Sequence, residues 1–355
     1  MINNCIEIEN NIKNINLINN NINKLNSINK KEIRVELDEI KINNLLQNIK
    51  QITIKDNFYL DIKDPIQIIK IHTAWVYCLL MMQDGRIASG SGDHSIIIYN
   101  SKTFQPDLII KEHKDYVLCI IQLYSGILAS CSRDGTINLF RINNVKYEKI
   151  QTLNYHTNKV YKIIELKNNL LASCSEDRNI IFYKQDKEKY IKDFHISTDK
   201  PSFYLIQTKE DEICYSDNED SIFFYDLIEK KIKTSLSNLN KTKNCNRTWF
   251  LMMSKDLLVI PGNKQLTIVD VNKYIIKNII ETPGINYGVC LFNKKLVFTG
   301  DNSGAIFQWK IEDNNLIFVS KKEKAHNYCS INVLINIGNN YIVSGSDDYS
   351  IKIWG

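Results

Sequence analysis

The chain lacks the residues and patterns on which several large classes of enzyme and membrane protein depend. Its 355 residues include only 13 glycines and five prolines, and no GxxxxGK[ST] or GxGxxG segment occurs, so we expect no phosphate-binding loop. HExxH and GxSxG segments are absent as well. The longest unbroken apolar run, residues 74–82, has nine residues, whereas a membrane helix needs about 20. We therefore expect no enzyme activity, no catalytic residue, no cofactor, no metal site and no membrane partner.

Cysteine pairing and one-sided charge are also missing. The nine cysteines include no CxxC pair, and no apolar N-terminal run follows a basic start, so a secreted, disulfide-bonded protein is not expected. The net charge is +5, and residues 64–355 carry 36 Lys and Arg against 32 Asp and Glu. A strong nucleic-acid signal would need a concentrated basic surface. We expect a cytoplasmic protein, with the nucleus as the alternative.

The chain does contain a recurring motif of small residues, an acid and an apolar strand. It is plainest at residues 89–100 (SGSGDHSIIIYN), and three further copies are 128–140 (LASCSRDGTINLF), 171–183 (LASCSEDRNIIFY) and 342–354 (IVSGSDDYSIKIW). Weaker copies cover residues 213–225, 257–269 and 297–309. The apolar segments are β-branched or aromatic and are bounded by Asp, Asn, Gly or Ser, which indicates strands buried on both faces.

The seven copies follow one another at nearly constant spacing. The residue at the position of the acid is, in order, Asp93, Asp134, Asp177, Glu219, Asn263, Ser303 and Asp348. The steps are 41, 43, 42, 44, 40 and 45 residues, which matches the roughly 40–45 residues of a four-stranded propeller blade. Five copies carry an upstream histidine: His72, His113, His156, His195 and His326.

With these residues the chain resembles the WD-repeat family over residues 64–355. The resemblance implies an all-β fold, a seven-bladed WD-repeat β-propeller. Because the family's repeat begins with the outer strand, the last unit needs an outer strand from elsewhere. We expect residues 65–71 to supply it and to close the ring by pairing with the last blade, which removes an open sheet edge.

The resemblance also implies a hydrogen-bonded tetrad of His, Ser or Thr, Asp and Trp in each regular blade. The last unit matches completely, the first and third have Tyr in place of Trp, and the second has Phe140 there. The residues are His72, Ser89, Asp93 and Tyr99; His113, Ser130 and Asp134; His156, Ser173, Asp177 and Tyr183; and His326, Ser344, Asp348 and Trp354. A catalytic triad would not be needed several times over, so we interpret these sets as structural.

In the family, partners commonly bind the narrower, top face of the ring. The family's contact positions lie three and five residues after the tetrad His and one residue before the Asp. Carried onto this chain, they predict a protein-binding surface made of Trp75, Tyr77, Tyr116, Leu118, Arg133, Lys159, Tyr161, Phe203, Arg247 and Tyr287. The set is rich in Trp, Tyr and Arg, which are over-represented at binding hot spots.

The N-terminal segment, residues 1–63, has a different composition. Its first thirty residues contain twelve Asn and eight Ile, which is compatible with compositional disorder or with a short coiled coil. Residues 36–52 suit an amphipathic helix. This segment is also the candidate region for self-association.

These patterns leave three functional hypotheses. The favoured one is a non-catalytic scaffold that binds a protein or peptide on the top face. The alternative is a substrate receptor or adaptor of a ubiquitin ligase, although the Trp-Asp-Arg triplet of the family's cullin adaptors is replaced by Tyr-Asn-Ser at residues 99–101. A ribonucleoprotein assembly factor that binds RNA is the third, and it would require strongly salt-dependent binding.

Overall fold

The computed structural model describes residues 60, 62, 64–217, 221–237, 239 and 250–355. All of these belong to one compact unit, Leu60–Gly355. The expectations for the N-terminal segment therefore lie outside the described residues, except at positions 60 and 62, and so do Glu219 and Arg247. Within the described ranges every regular element is a β-strand, which confirms the prediction of an all-β propeller fold.

The first half of the described chain forms strands β1 to β13. They are β1 (Gln67–Ile69), β2 (Val76–Met81), β3 (Ile87–Ser91), β4 (Ile96–Tyr99), β5 (Pro106–Ile110), β6 (Val117–Gln122), β7 (Leu128–Ser132), β8 (Ile137–Asn143), β9 (Lys146–Leu153), β10 (Val160–Glu165), β11 (Leu171–Ser175), β12 (Asn179–Asp186) and β13 (Lys189–Ser197).

The second half forms strands β14 to β26. They are β14 (Tyr204–Lys209), β15 (Glu212–Ser216), β16 (Ile222–Asp226), β17 (Lys231–Leu236), β18 (Leu251–Met252), β19 (Leu257–Asp270), β20 (Ile275–Asn293), β21 (Leu296–Asp301), β22 (Ile306–Glu312), β23 (Asn315–Lys322), β24 (Ile331–Gly338), β25 (Tyr341–Ser346) and β26 (Ile351–Trp354).

These strands form six sheets in the described part of the chain, so the prediction of seven blades is wrong. Four blades have four consecutive antiparallel strands: β2 to β5, β6 to β9, β10 to β13 and β14 to β17. Strands β18 to β23 make one six-stranded sheet. The closing blade has the order β1, β26, β25, β24, because Gln67, Ile68 and Ile69 pair with Ile353, Lys352 and Ile351.

The six-stranded sheet arises because β20 runs without a break through two of the sequence units. Its first half pairs with β19 and its second half, from Asn286 onward, pairs with β21. In the regular blades a loop that carries the tetrad histidine separates the two corresponding strands, as between Ile110 and Val117. The sixth unit, whose histidine would lie at this junction, has no such histidine. Instead the Asn286 side chain bonds Thr282 Oγ1 at 2.6 Å and Gly284 O at 3.2 Å, and the backbone stays extended.

The core consists of apolar clusters between neighbouring sheets. The four residues of β4 are all buried, as are the five of β3, which explains why these sequences are apolar or small throughout. The two halves of the six-stranded sheet also pack on each other, through Val259, Ile268, Val297 and Phe307. The first strands of the first four blades, β2, β6, β10 and β14, are neighbours in that order, and β24 contacts β2, which brings the two ends of the ring together.

A set of side-chain bridges that the sequence analysis did not anticipate ties neighbouring blades at the end of the sheets opposite the tetrads. A side chain at or near the end of a first strand accepts a hydrogen bond from the backbone of the preceding blade's first turn. Gln122 accepts from Gln83 N at 2.8 Å, Glu165 from Tyr124 N at 2.7 Å, and the Gln207 side chain from Lys167 N at 3.1 Å. Such bridges satisfy backbone donors that the turns leave open.

Candidate interaction surface

The tetrad of the first blade links the loop before β2 to the turn between β3 and β4. His72 Nδ1 lies 2.8 Å from Asp93 Oδ2, and His72 Nε2 lies 2.7 Å from Ser89 Oγ. Because the Asp93 carboxylate can only accept, Nδ1 carries the proton and Nε2 accepts from the serine hydroxyl. Asp93 also accepts hydrogen bonds from the backbone N of Thr73 and Ser95, at 3.0 Å each. The aspartate thus fixes both the loop and the turn.

The same arrangement recurs in three more blades. The Asp–His and His–Ser distances are 3.0 and 2.8 Å for the His113 set, 2.8 and 2.7 Å for the His156 set and 2.9 and 2.6 Å for the His326 set. The fourth member varies. Trp354 Nε1 donates to Ser344 Oγ at 2.8 Å, and the Tyr183 and Ser173 hydroxyls lie 3.0 Å apart. The hydroxyls of Ser89 and Tyr99 are 3.3 Å apart, and Phe140 has no donor to offer.

The hydrogen bonds of these sets hold the loops and turns of the blades together. The serine of each set, Ser89, Ser130, Ser173 or Ser344, has no exposed surface, so no substrate can reach its hydroxyl. Nucleophilic catalysis requires an accessible nucleophile. Leaving any member unpaired in this buried setting would cost roughly 1–3 kcal/mol, which is how the sets stabilise the blades.

The acidity of the tetrad aspartates reflects the same bonds. Burial acts to raise the pKa of Asp348, but hydrogen bonds from His326 and Ser350 outweigh burial and lower the pKa to about 2. For Asp177 the bond to His156 likewise outweighs burial, and the pKa falls to about 2. Burial lowers the pKa of His326 despite the neighbouring carboxylate. These aspartates are therefore ionised at neutral pH.

The irregular units depart from this arrangement. His195 is one of the five upstream histidines of the repeat, but it lies within β13, opposite Ile181, and its side chain is exposed. It therefore takes no part in a tetrad. In the sixth unit Trp309 Nε1 still donates to Thr299 Oγ1 at 2.9 Å. There Asp301 Oδ1 accepts from the backbone N of Ser303 and Ala305 and so holds the turn in place of the missing set.

The end of the sheets that carries the tetrad loops is called the top face here, and its most continuous feature is an aromatic row. Trp75 meets Tyr77 edge-on with ring centroids 6.1 Å apart, and Tyr77 stacks on Tyr116 at 5.5 Å. The guanidinium carbon of Arg133 lies 5.0 Å from the centroid of the Tyr116 ring, within cation–π range. His94 adds a ring at 6.1 Å from Tyr116. The row thus crosses from the first to the second blade.

The surface residues expected from the sequence do not share one environment. Trp75 is 38% exposed and Arg133 is also exposed, but Tyr77 is buried beneath the row. Half-buried positions are Tyr116, Leu118, Lys159, Tyr161, Phe203 and Tyr287. Tyr161 packs on Phe203 with centroids 4.5 Å apart, and Lys159 pairs with Glu176 at 2.8 Å. The structure therefore groups Trp75, Tyr77, Tyr116 and Arg133, while Tyr161 and Phe203 form a separate pair between the third and fourth blades.

Two exposed aromatic residues of the same face were missed. Tyr328 is 66% exposed and Tyr349 is 44% exposed, both in top loops of the closing blade. Tyr349 directly follows the tetrad Asp348, as His94 follows Asp93, and both adopt left-handed backbone angles, φ 67° and 68°. Comparing the residue after each motif acid across the copies would have found Tyr349. Tyr328 lies two residues after His326, a position that the family pattern does not mark.

Among the described residues no group of three or more His, Cys, Asp or Glu side chains is placed to hold a metal ion. The described part of the chain also contains no helix of the length and apolar character that crossing a membrane requires.

Comparison with known families finds matches in three of the four units that carry a tetrad histidine bonded to an aspartate. The family model described as WD domain, G-beta repeat, matches residues 63–100, 104–141 and 320–355. No curated protein matches the chain. The three matches cover the first blade, the second blade up to β8 and the closing blade. Together with the antiparallel sheets, these matches support a WD-repeat β-propeller.

Proposed function

We propose that this protein is a non-catalytic interaction scaffold that binds a protein or peptide on its top face. The observation that carries the proposal is the aromatic row with Arg133 at its end, together with the exposed Tyr328 and Tyr349 in the top loops of the closing blade. Large aromatic side chains and arginine supply most of the binding energy at protein interfaces. An exposed aromatic ring gains no stabilisation from burial within the chain itself, so its apolar surface can still gain free energy by burial against a partner.

The way the surface is held supports the same function. Each top loop of a regular blade is fixed by a tetrad aspartate that bonds both the loop and the turn, as Asp93 does with Thr73 and Ser95. Trp75 O accepts from Gly92 N at 2.8 Å, and Tyr116 O accepts from Arg133 N at 2.9 Å. Contact residues on a rigid frame lose little entropy on binding. The face therefore suits a preformed binding site.

The test compares two double variants of the full chain. Trp75→Ala/Arg133→Ala removes exposed members of the top face, and Tyr124→Ala/Arg141→Ala removes an aromatic residue and an arginine from exposed positions elsewhere on the second blade. Affinity capture from native extract with quantitative mass spectrometry names the partners of the wild type. Direct titration of a recombinant partner then measures affinity, and we expect at least about a tenfold loss for the first variant, since truncating one hot-spot residue costs 2 kcal/mol or more.

The outcomes separate this proposal from its rivals. A partner lost with the top-face variant and kept with the control supports the scaffold. Partners that survive both variants would overturn it. A partner that is RNA, bound with a steep dependence on salt, would instead favour the ribonucleoprotein hypothesis. The cytoplasmic location stays a prediction, and imaging of the tagged chain checks it.

A further inference from the structure

A buried glutamine in β22 stands where the other units have an apolar side chain. The residue five positions after that of the motif acid is, in order, Ile98, Leu139, Phe182, Phe224, Ile268, Gln308 and Ile353. Gln308 is only 1% exposed, so both ends of its amide need hydrogen-bond partners inside the protein. A polar side chain at this one position indicates that the sixth unit receives a polar group there.

The group that Gln308 receives is the main chain of Leu60, which lies outside the strands. Gln308 Nε2 donates to Leu60 O at 2.9 Å and to Ser320 Oγ at 3.0 Å, and Gln308 Oε1 accepts from Leu60 N at 3.1 Å. The orientation of the amide follows from these partners, because Leu60 O needs a donor and Leu60 N needs an acceptor. One side chain thus binds both backbone groups of a single residue, as a neighbouring strand would.

The side chain of Leu60 is buried at the same place. It is 5% exposed and belongs to the apolar cluster between the second half of the six-stranded sheet and the closing blade, which also contains Cys290. Ile62 is half-buried and packs against this cluster. Asp64 has an exposed carboxylate 3.3 Å from Lys322 Nζ. A leucine, an apolar residue two positions on and an acid four positions on therefore contact neighbouring parts of the same surface.

A second glutamine holds a leucine in a similar way in the fifth unit. Gln265 Nε2 donates to Leu239 O, and Thr267 Oγ1 donates to the same oxygen at 3.1 Å. Gln265 is 4% exposed and Leu239 is 2% exposed. Leu239 belongs to a different apolar cluster, which contains Cys214. The combination of a buried glutamine and a leucine from outside the strands thus recurs in the two units whose sequences lack a tetrad histidine.

We propose that Gln308, Ser320, Lys322 and the cluster around Cys290 form a peptide-binding site, called the leucine groove here, which Leu60 fills and which a partner's leucine fills in its place. The partner is a peptide segment with a leucine, an apolar residue two positions on and an acid four positions on. The amide suits such an exchange, because it bonds water when the leucine leaves. None of these residues belongs to the aromatic row of the top face.

The way Leu60 is held allows it to leave the groove. Its backbone is bound by a side-chain amide, whereas the ladder between β1 and β26 begins only at Gln67. The side chain of Asp64 is 96% exposed, so its ion pair with Lys322 holds the segment weakly. Release of Leu60 from the groove therefore breaks no strand pairing of the closing blade.

Cys290 reports whether the groove is filled. It lies in the same cluster as Leu60 and is 6% exposed, so a thiol reagent reaches it readily only when the leucine leaves. One tryptic peptide, residues 278–294, carries Cys290 as its only cysteine, and another, residues 210–230, carries Cys214 in the same way. The native full chain is treated with an alkylating reagent and digested, and mass spectrometry follows the labelled fraction of both peptides with time.

Two matched variants separate release of the leucine from unfolding. Leu60→Asp places a carboxylate among apolar side chains that offer it no partner, so the residue leaves the groove. We expect Cys290 to be labelled at least about tenfold faster than in the wild type, with Cys214 unchanged. Leu239→Asp makes the same change at the second glutamine. It should speed up labelling of Cys214 and leave Cys290 unchanged.

A synthetic peptide tests the exchange itself. The peptide has the sequence of residues 56–64, DNFYLDIKD, and is added to the Leu60→Asp chain, whose groove is empty but otherwise intact. We expect it to return Cys290 labelling to the wild-type rate, whereas the same peptide with Leu60→Asp should have no effect. In the Leu60→Asp/Gln308→Leu chain the peptide backbone loses its partner, and we expect its affinity to fall at least about tenfold.

Three results would contradict the proposal. One is a wild-type rate of Cys290 labelling in Leu60→Asp, and another is a fast rate that the peptide leaves unchanged. The third is equal acceleration at Cys290 and Cys214, which would mean that the chain unfolds as a whole. If Leu60→Asp does not fold, Gln308→Leu takes its place, because it gives the sixth unit a residue type found in the second blade and removes the backbone partner of Leu60. An unchanged Cys290 rate in that variant overturns the proposal.

Discussion

The regular blades and the six-stranded sheet differ in how the chain passes from one sequence unit to the next. In the first, second, third and closing blades a histidine loop separates adjacent sheets, and an aspartate fixes the loop to a turn. In the six-stranded sheet β20 passes straight from one sequence unit to the next, with no tetrad histidine among its described residues. The β-sheets form in both regions. The tetrad is therefore needed to hold the loops that separate blades and that form the top face.

The largest effect should come from removing a tetrad aspartate. Asp348→Ala leaves His326 and the backbone N of Ser350 without their acceptor, so we expect a loss of roughly 2–3 kcal/mol in the free energy of unfolding. Ser303→Ala, at the equivalent position of the irregular region, removes one exposed hydroxyl that bonds Asp301. It should cost less than about 0.5 kcal/mol. Urea denaturation measures both.

The pH dependence of that difference has a definite sign. The folded pKa of Asp348 is lowered to about 2, below the ordinary value of about 3.9. The stability that its carboxylate contributes is therefore fully present above pH 4 and disappears as the pH falls through about 2. The gap between wild type and Asp348→Ala should close over this range. Equal effects of Asp348→Ala and Ser303→Ala at pH 7 would contradict the contrast between the two regions.

Mild acid should loosen the closing blade before the six-stranded sheet. Burial lowers the folded pKa of His326, so below about pH 6.5 the unfolded chain binds a proton that the folded chain resists. Stability from the neutral imidazole is full above that pH and is lost as the pH falls. Hydrogen exchange, corrected for its intrinsic pH dependence, should show β24 to β26 losing protection between pH 7 and 5 while β21 and β22 keep theirs. Uniform loss across both regions would count against this.

A smaller effect should come from the residue after the tetrad aspartate. Tyr349 has φ 67°, whereas the second blade uses Gly135 at the equivalent position, with φ 84°. Tyr349 is exposed, so Tyr349→Gly loses little packing, and relief of the left-handed strain should exceed the entropy of glycine by about 0.5 kcal/mol. Thermal unfolding should show a higher Tm. The reciprocal change Gly135→Ala should lower it.

The affinity for a top-face partner should change in the opposite direction to the stability. If Tyr349 contacts the partner, Tyr349→Gly weakens binding while it raises stability, which is the pattern expected where strain is kept for function. A variant that is more stable and binds equally well would limit the contact surface to Trp75, Tyr116 and Arg133. A variant that is less stable would show that Tyr349 is held by packing that its exposure does not reveal.

The sequence was most informative where residue identity and spacing repeat together. A His 21 or 22 residues before an Asp, with Ser four residues before the Asp, identifies the four sets that the structure brings together. His195 lies 24 residues before Glu219 and is not part of a set. Spacing alone also gave seven units, but strand pairing decides the sheets, and β20 continues as one strand through two units even across Pro283 and Gly284. Whether two units share one strand depends on backbone pairing, which the spacing of repeated residues does not reveal.

Burial on the top face was harder to predict than the sets beneath it. The family pattern placed Trp75 and Tyr77 together, but Tyr77 lies inside β2 and is covered by its neighbours, whereas Trp75 is in the preceding loop. The lysine at position 162 was not singled out, because its contact with the Tyr204 ring depends on a residue that a strand of the next blade supplies. Contacts between blades join residues about 40 positions apart, and no local pattern encodes them.

The smallest effect concerns the bridges at the opposite end of the regular blades. Glu165 accepts from the Tyr124 backbone N where the second and fourth blades use Gln122 and Gln207. Burial raises the pKa of Glu165 more than this one bond lowers it, so the ionised carboxylate is disfavoured in the folded state. Glu165→Gln keeps the accepting oxygen and removes the charge. It should raise the free energy of unfolding by a few tenths of a kcal/mol at pH 7, with the gain vanishing below about pH 4, where the wild-type carboxyl is protonated.

Glu312→Gln is the matched control for that change, since Glu312 is an exposed carboxylate at the end of β22 in the six-stranded sheet. Its substitution should leave stability within about 0.5 kcal/mol at every pH. Urea midpoints at pH 7 and pH 4 for the wild type and both variants measure the effect. A gain from Glu165→Gln that persists at pH 4 would assign it to packing instead of charge, and a loss at pH 7 would mean that the carboxylate contributes a favourable interaction there. A gain confined to neutral pH would show that the repeating bridge of the regular blades works best with a neutral acceptor.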